Sequence, residues 1–311
     1  MVLDGTARRF RRGVNFGNAL DSAREAPAGL LLGERHLDVA RDAGFDLIRL
    51  PVRWSAWADP SAPHLIEPGF FDRVDLVING ALDRELTVVV NVHHYDELQR
   101  VPDEHEDRFV ALWRQISARY AGYPTTLWFE LLNEPRDAMT ARRWNRLLSR
   151  TLAVVRERNR DRTVVIGPVQ MNGFAALPDL ELPADDHVAA TVHYYEPMTF
   201  THQGAAWTPG ADRWRGTTWG SDADRDAVRS DLARAAAWAH QRGVELFVGE
   251  FGTYDQADLA SRVAWTRYVR WQAEQLGLSW CYWDFGTDFG VYDPGSGSWR
   301  EPLRQALLDP G

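Results

Sequence analysis

The residues best suited to chemistry lie in two short segments. Leu131-Leu132-Asn133-Glu134-Pro135 and Leu246-Phe247-Val248-Gly249-Glu250-Phe251-Gly252 each end an apolar run of β type with one glutamate, and they stand far apart in the chain. Two carboxylates at two strand ends are the apparatus for breaking a glycosidic bond. One donates a proton to the leaving oxygen while the other stays ionised to attack or stabilise an oxocarbenium-like carbon, so two acids in different surroundings are needed. The plain alternative is a pair of surface acids in salt bridges. Each of these two leaves an apolar strand directly beside Gly or Pro, which favours the catalytic reading.

Other groups gather at equivalent places. If the chain is extended through Glu134, then Glu130 shares its parity, points into the protein and needs a cationic partner. Arg49 is the obvious one, either in a purely structural pair or near Glu250, holding that carboxylate ionised as a nucleophile should be. Asn133 is suited to hydrogen-bonding a sugar hydroxyl, and Tyr195 to orienting the nucleophile through its own hydroxyl. His93, His94 and His193 together raise the question of a metal. Metal-dependent barrel hydrolases, however, start with two histidines one residue apart at the end of the first strand, where Asn15 and Gly17 stand here. Hydrogen bonding to substrate or carboxylate is therefore the preferred role, with no metal and no cofactor. Asp284-Phe285-Gly286 spells the kinase magnesium tripeptide, but the other kinase signatures are missing and the match is coincidence.

Fourteen tryptophans are many for 311 residues. Trp113, Trp144, Trp238, Trp265 and Trp271 sit inside helical patterns and read as packing, whereas Trp54, Trp57, Trp207, Trp219 and Trp283 fall in loops after strands, free to offer a flat face to a pyranose ring.

The elements that must position these groups alternate eight times between apolar β-branched runs and helix-period stretches. Strands are expected near Arg11–Phe16, Leu47–Val52, Thr87–Val92, Leu127–Leu132, Val164–Gly167, Val188–His193, Leu246–Gly249 and Ser279–Trp283. Amphipathic helices are expected over Glu104 to Tyr120, Thr140 to Arg158 with Thr140 as N-cap, Asp222 to Gln241 and Asp258 to Gln275. Eight β/α units without a linker predict a single-domain α/β fold, a (β/α)8 TIM barrel over residues 1–311, with its chemistry at the C-terminal strand ends. A doubly wound sheet would want a Gly-rich phosphate turn after the first strand, and Gly13-Val14-Asn15-Phe16-Gly17-Asn18 lacks that spacing. The longest irregular stretch, Glu196 to Ser221, follows the sixth strand, and a loop that long is usually functional.

Composition sets further bounds. A formal charge of −9 and a pI near 5.5 argue against nucleic acid, whose phosphates call for a basic face. All 35 basic residues are arginine, which excludes chemistry through a lysine Schiff base or pyridoxal phosphate. Cys281 is the single cysteine and reads as buried packing. Met1 to Arg12 has no apolar leader and no run is long enough to span a bilayer, so the chain is expected to be cytoplasmic or a mature form stripped of its signal, and not a membrane protein.

Taken in order, Gly13-Val14-Asn15-Phe16-Gly17-Asn18-Ala19-Leu20, Ile48-Arg49-Leu50-Pro51-Val52-Arg53-Trp54, Asn91-Val92-His93-His94-Tyr95, Leu132-Asn133-Glu134-Pro135, His193-Tyr194-Tyr195, Gly249-Glu250-Phe251-Gly252 and Tyr282-Trp283-Asp284-Phe285-Gly286 resemble glycoside hydrolase family 5, the cellulase-type barrel, over essentially the whole chain. The resemblance implies Glu134 as acid/base and Glu250 as nucleophile, with Arg49, His93, Asn133, His193, Tyr195 and Trp283 around them and Asn18, His94, His202 and Trp207 as further substrate contacts. The segment from Phe200 to Trp207 is similar to a loop of thermophilic bacterial enzymes that cut both β-1,4-glucan and β-1,4-mannan. Two departures stand out: Asp21 where glutamate is expected, shortening a sugar contact, and Met171 where those relatives carry tryptophan. The expectation is a retaining endo-β-1,4-glucanase acting on β-linked polysaccharide or oligosaccharide, with glucomannan as a further substrate. The alternatives are an endo-β-1,4-mannanase with the same machinery and, outside enzymes, a saccharide-binding barrel that would need only the aromatics.

Overall fold

The computed structural model describes residues 10–22 and 30–309; most of the segment Met1 to Arg12, read above for a leader, lies outside them. The apolar runs pair as the alternation requires. Eight strands, β1 (Arg12–Asn15), β2 (Leu47–Leu50), β3 (Thr87–Asn91), β4 (Leu127–Glu130), β5 (Val164–Ile166), β6 (Val188–Tyr194), β7 (Glu245–Phe251) and β8 (Ser279–Tyr282), close into a parallel barrel in chain order. The TIM barrel expectation holds.

Helices return the chain between strands. Pro102–Arg119, Ala141–Arg156, Asp222–Arg242 and Leu259–Gln275 match the four expected ones to within two residues at each end. Local chemistry starts them. Thr140 accepts from the Arg143 N–H at 3.4 Å and Asp258 from the Ser261 N–H at 2.9 Å, while Ser221 and Asp224 cap each other's N–H groups at 3.2 and 2.9 Å; such caps are each worth about 1 kcal/mol.

The barrel interior is layered. Its apolar floor is Leu47, Val89, Trp128, Val165, Ala189, Phe247 and Cys281, a cluster separate from the core between strands and helices. Gly13 completes this layer, because a Cβ there would lie 2.2 Å from Cys281 Sγ. Two residues further along the strands, on the same face, the side chains turn polar: Asn15, Arg49, Asn91, Glu130 and Thr191 are all fully buried. A dry floor under a charged layer makes that layer strongly dependent on internal pairing.

Three expectations need correction. β4 ends at Glu130 and Glu134 has φ +48°, so Glu134 is presented by a left-handed loop residue and the parity argument that linked it to Glu130 fails, although Glu130 does point inward. Glu250 lies inside β7, not at its end, and it faces the site because the register with β6 shifts between Val192 and His193, setting His193 opposite Glu250. Trp54 and Trp219 are buried, and Trp57 stacks on Phe70 at 4.7 Å, so these three pack instead of facing a sugar.

Candidate active site

Arg49 organises the centre. Its Nε and Nη2 donate to the two oxygens of Glu130 at 2.6 and 2.8 Å, its Nη1 donates to Glu250 Oε1 at 2.7 Å and to Asn15 Oδ1 at 2.8 Å, and its Nη2 also reaches Asn133 Oδ1 at 2.7 Å. Arg49 thus contacts both of the carboxylates that the sequence offered as its partner, Glu130 and Glu250. Tyr195 donates its hydroxyl to Glu250 Oε2 at 2.8 Å, so both oxygens of Glu250 accept, the pattern that suits an ionised carboxylate. Burial nevertheless raises the Glu250 carboxyl above its ordinary value, opposed by His193 and Arg49. Arg49 does act downward on Glu250, but burial, with the neighbouring Glu134 carboxylate, outweighs it, so the expected lowering is not the net result.

Glu134 is held differently. His193 Nδ1 stands 2.8 Å from Glu134 Oε1 and 3.5 Å from Glu250 Oε2, while Arg136 comes no closer than 3.9 Å to Glu134 Oε2. Burial raises the Glu134 carboxyl, but the hydrogen bond from His193, with the guanidinium charges of Arg136 and Arg49, outweighs it and the net direction is down. One-fifth of the side chain stays exposed, against 6% for Glu250. An oxygen of Glu134, one of Glu250 and a nitrogen of His193 all lie within 4.8 Å of one another.

The cleft above these groups is a cavity of about 330 Å³ lined by Asn18, His93, His94, Asn133, Glu134, Tyr195, His202, Trp207, Glu250, Trp283, Thr287, Asp288 and Phe289. Ten of the expected site residues thus meet in one place, and Arg49 and His193 support it from below. Trp283 lies parallel to His93 at 5.9 Å and against Gly17, where a Cβ would fall 2.6 Å from its ring. His202 packs edge-on to Tyr195 and burial lowers it to about 4. Trp207 is 56% exposed, edge-on to Tyr254 at 4.9 Å and tilted against Phe289 at 6.4 Å. A second cavity of about 1090 Å³ shares Glu134, Tyr195, His202 and Trp207 and continues past Arg136, Met171 and Phe174. Glu134 stands between the two.

Asp21 is the exception. It is buried, and its carboxylate accepts the N–H groups of Asn18 and Ala19 at 3.1 and 2.7 Å, so it shapes the loop beneath the cleft instead of contacting sugar. Beyond those N–H groups the carboxylate has His94 Nε2 at 3.8 Å.

Two groups of metal-ligand type arise, Asp21 with His93 and His94, and Glu134 with His193 and Glu250. In both, carboxylate oxygens already accept hydrogen bonds. Both Asp21 oxygens are taken by backbone N–H groups, and both Glu250 oxygens by Arg49 and Tyr195, with the guanidinium charge 2.7 Å away.

Sequence reasoning passed over Gln99, Arg136, Asn172 and the segment Thr287 to Phe289. Gln99 donates to the carbonyls of Asn133 and Glu134 and so supports the left-handed turn. Only the last segment carried a signal, its place after β8.

Residues 33–288 match the cellulase family, glycosyl hydrolase family 5. The chain belongs to that family. Among family 5 structures, Cel5A of Thermotoga maritima in complex with cellobiose superposes with a TM-score of 0.95 at 42% identity, covering 97% of this chain and 98% of that one. The same enzyme in complex with mannotriose gives 0.95, 42%, 96% and 97%. Endoglucanase H of Acetivibrio thermocellus is 30% identical over 310 residues, 98% of this chain and 33% of that protein. The chain thus spans about a third of the length of that relative. No helix among the described residues is long and apolar enough to cross a membrane.

Proposed function

We propose that this family 5 chain is a retaining endo-β-1,4-glucanase, with residues 1–311 as its catalytic domain, Glu250 as nucleophile and Glu134 as acid/base. One observation carries the reading: an oxygen of Glu134 and an oxygen of Glu250 lie within 4.8 Å of each other beside His193, a close pairing of the kind that supports a retaining site, where no water has to fit between the carboxylates in the first step.

Arg49 and Tyr195 aim the Glu250 carboxylate at the anomeric carbon. Its attack forms a covalent glycosyl-enzyme as the bond to the leaving oxygen breaks, and Glu134 supplies that oxygen's proton. A bound sugar covers the exposed part of Glu134 and excludes water, which favours the protonated acid that the first step needs. Ionised Glu134 then takes a proton from water as that water displaces Glu250. Trp283 offers the sugar a flat face on the glycone side. Glu134 lines both cavities and Glu250 only the smaller, which assigns the larger to the leaving group.

The cellobiose and mannotriose complexes of Cel5A support β-1,4-glucan as substrate and mannan-type chains as a second one. A polymeric substrate favours an exported enzyme. Reducing-end release from carboxymethylcellulose, β-glucan, xyloglucan and glucomannan tests the assignment: activity on the β-1,4-glucans is expected, activity on glucomannan alone would make the chain a mannanase, and none on any would leave a saccharide-binding barrel.

A further inference from the structure

Behind His193 lies a residue that the mechanism has not used. Asn172 is fully buried, and its Nδ2 stands 3.2 Å from His193 Nε2. Its Oδ1 finds no hydrogen-bond partner among the described residues, although an unpaired buried polar atom costs about 1–3 kcal/mol. Gln170, Met171 and Asn172 have φ of +59°, +59° and +55°, three left-handed non-glycine residues in succession, and such strain persists only where the surroundings enforce it. Gly167 makes room for the amide, since a Cβ there would lie 2.2 Å from Asn172 Oδ1. Strained backbone, an orphaned acceptor and a close glycine all serve to aim one carboxamide at one ring nitrogen.

The other side of the ring explains why that matters. Nδ1 faces two carboxylate oxygens, Glu134 Oε1 at 2.8 Å and Glu250 Oε2 at 3.5 Å, so it must carry hydrogen. A neutral ring then has a bare Nε2 that needs a donor, and Asn172 Nδ2 is that donor. We propose that Asn172 is a positioning residue for the acid/base: it holds His193 neutral with hydrogen on Nδ1, so that Oε1 of Glu134 always accepts and the catalytic proton sits on Oε2. Among the described residues Oε2 accepts no hydrogen bond, Arg136 Nη1 standing 3.9 Å away. The opposite tautomer would leave Nδ1 an acceptor and draw the Glu134 proton onto Oε1, away from the leaving group. An imidazolium would hold Glu134 ionised, without the proton the first step requires. This inference rests on the assignment of Glu134 as acid/base. The charged or titratable groups around the pair are Arg49, His93, Arg136, Tyr195, His202 and Glu250.

The test combines a spectrum with kinetics. In the ring-¹⁵N NMR spectrum, with His193→Gln identifying the His193 signals among nine histidines, the wild type should show a protonated Nδ1 and a bare Nε2 at neutral pH. A bare Nδ1, or two protonated nitrogens, would overturn the proposal whatever the variants do. Asn172→Asp places an anion at Nε2, so both nitrogens should become protonated and the basic limb of the kcat/KM profile should move to lower pH. Asn172→Ala, and Gly167→Ala by crowding the amide, should lower turnover about ten- to a hundredfold on substrates whose leaving group needs a proton. Both should spare glycosylation by activated aryl glycosides, which needs none. Equal losses on both substrate classes with an unmoved pH profile would make Asn172 a packing residue only. Absence of wild-type activity on every glycan would instead defeat the functional reading, with the tautomer still measured.

Discussion

Arg49 holds Glu130 in a two-point fork at 2.6 and 2.8 Å and reaches Glu250 with the same guanidinium at 2.7 Å. A wholly structural ion pair and the proposed nucleophile therefore share one cation. Arg49→Ala would leave two buried carboxylates uncompensated, and breaking a buried pair in this way costs about 3–5 kcal/mol. Urea unfolding should record that loss, and the surviving folded enzyme should be nearly inactive.

Tyr195→Phe isolates the other hydrogen bond to Glu250. A bond to a charged acceptor is worth about 1.5–3 kcal/mol, so the melting temperature should fall and, if the bond aims Glu250, kcat/KM of the folded enzyme should fall about ten- to a hundredfold. Unchanged kinetics would remove Tyr195 from the orientation of Glu250.

The two glutamates separate by stereochemistry. Glu134→Ala retains the nucleophile, so an activated aryl β-glycoside should still form the glycosyl-enzyme, and azide entering from the open face should give a β-glycosyl azide. In Glu250→Ala azide can attack only once, from the vacated side, and any product should be the α-azide. Proton NMR of the anomeric centre reads the outcome, and the opposite pair of products would reverse the roles.

His202 links stability to pH. Burial lowers it to about 4 from an ordinary 6.5, so the folded state binds the neutral ring. The stability this confers is present above pH 6.5 and is lost as pH falls from there through 4. Between pH 7 and 5 its share of the loss is about 2 kcal/mol. Unfolding free energies of wild type and His202→Gln at the two pH values should converge on the acid side by about that amount.

Trp207→Ala should weaken polymer binding or turnover and leave the melting temperature nearly unchanged, because the ring is 56% exposed. A large fall in melting temperature with unaltered kinetics would return Trp207 to packing.

Exhaustive chelation should leave activity intact, since the oxygens that could bind a cation at Glu250 already accept from Arg49 and Tyr195. Loss on chelation with recovery on adding zinc or manganese would overturn the two-carboxylate mechanism.

The alternation of β-branched runs with amphipathic helices was enough to specify the barrel, because side-chain period reports which face each element buries and eight parallel units have one economical closure. Glu134, Glu250, Arg49, Trp207 and Trp283 were legible from residue type and from their place on or just after a strand. Trp54, Trp57 and Trp219 were misread because loop position does not reveal burial; Trp57 reaches Phe70 thirteen residues on. Asp21 was misread because a carboxylate's partners depend on loop geometry, and here they are its own neighbours' N–H groups. The left-handed turn at Glu134, the register shift that aims Glu250, the division of the Arg49 charge and the amide of Asn172 behind His193 belong to the tertiary structure alone. Each depends on contacts between strands remote in sequence, where burial and a few tenths of an ångström decide which atom donates and which accepts.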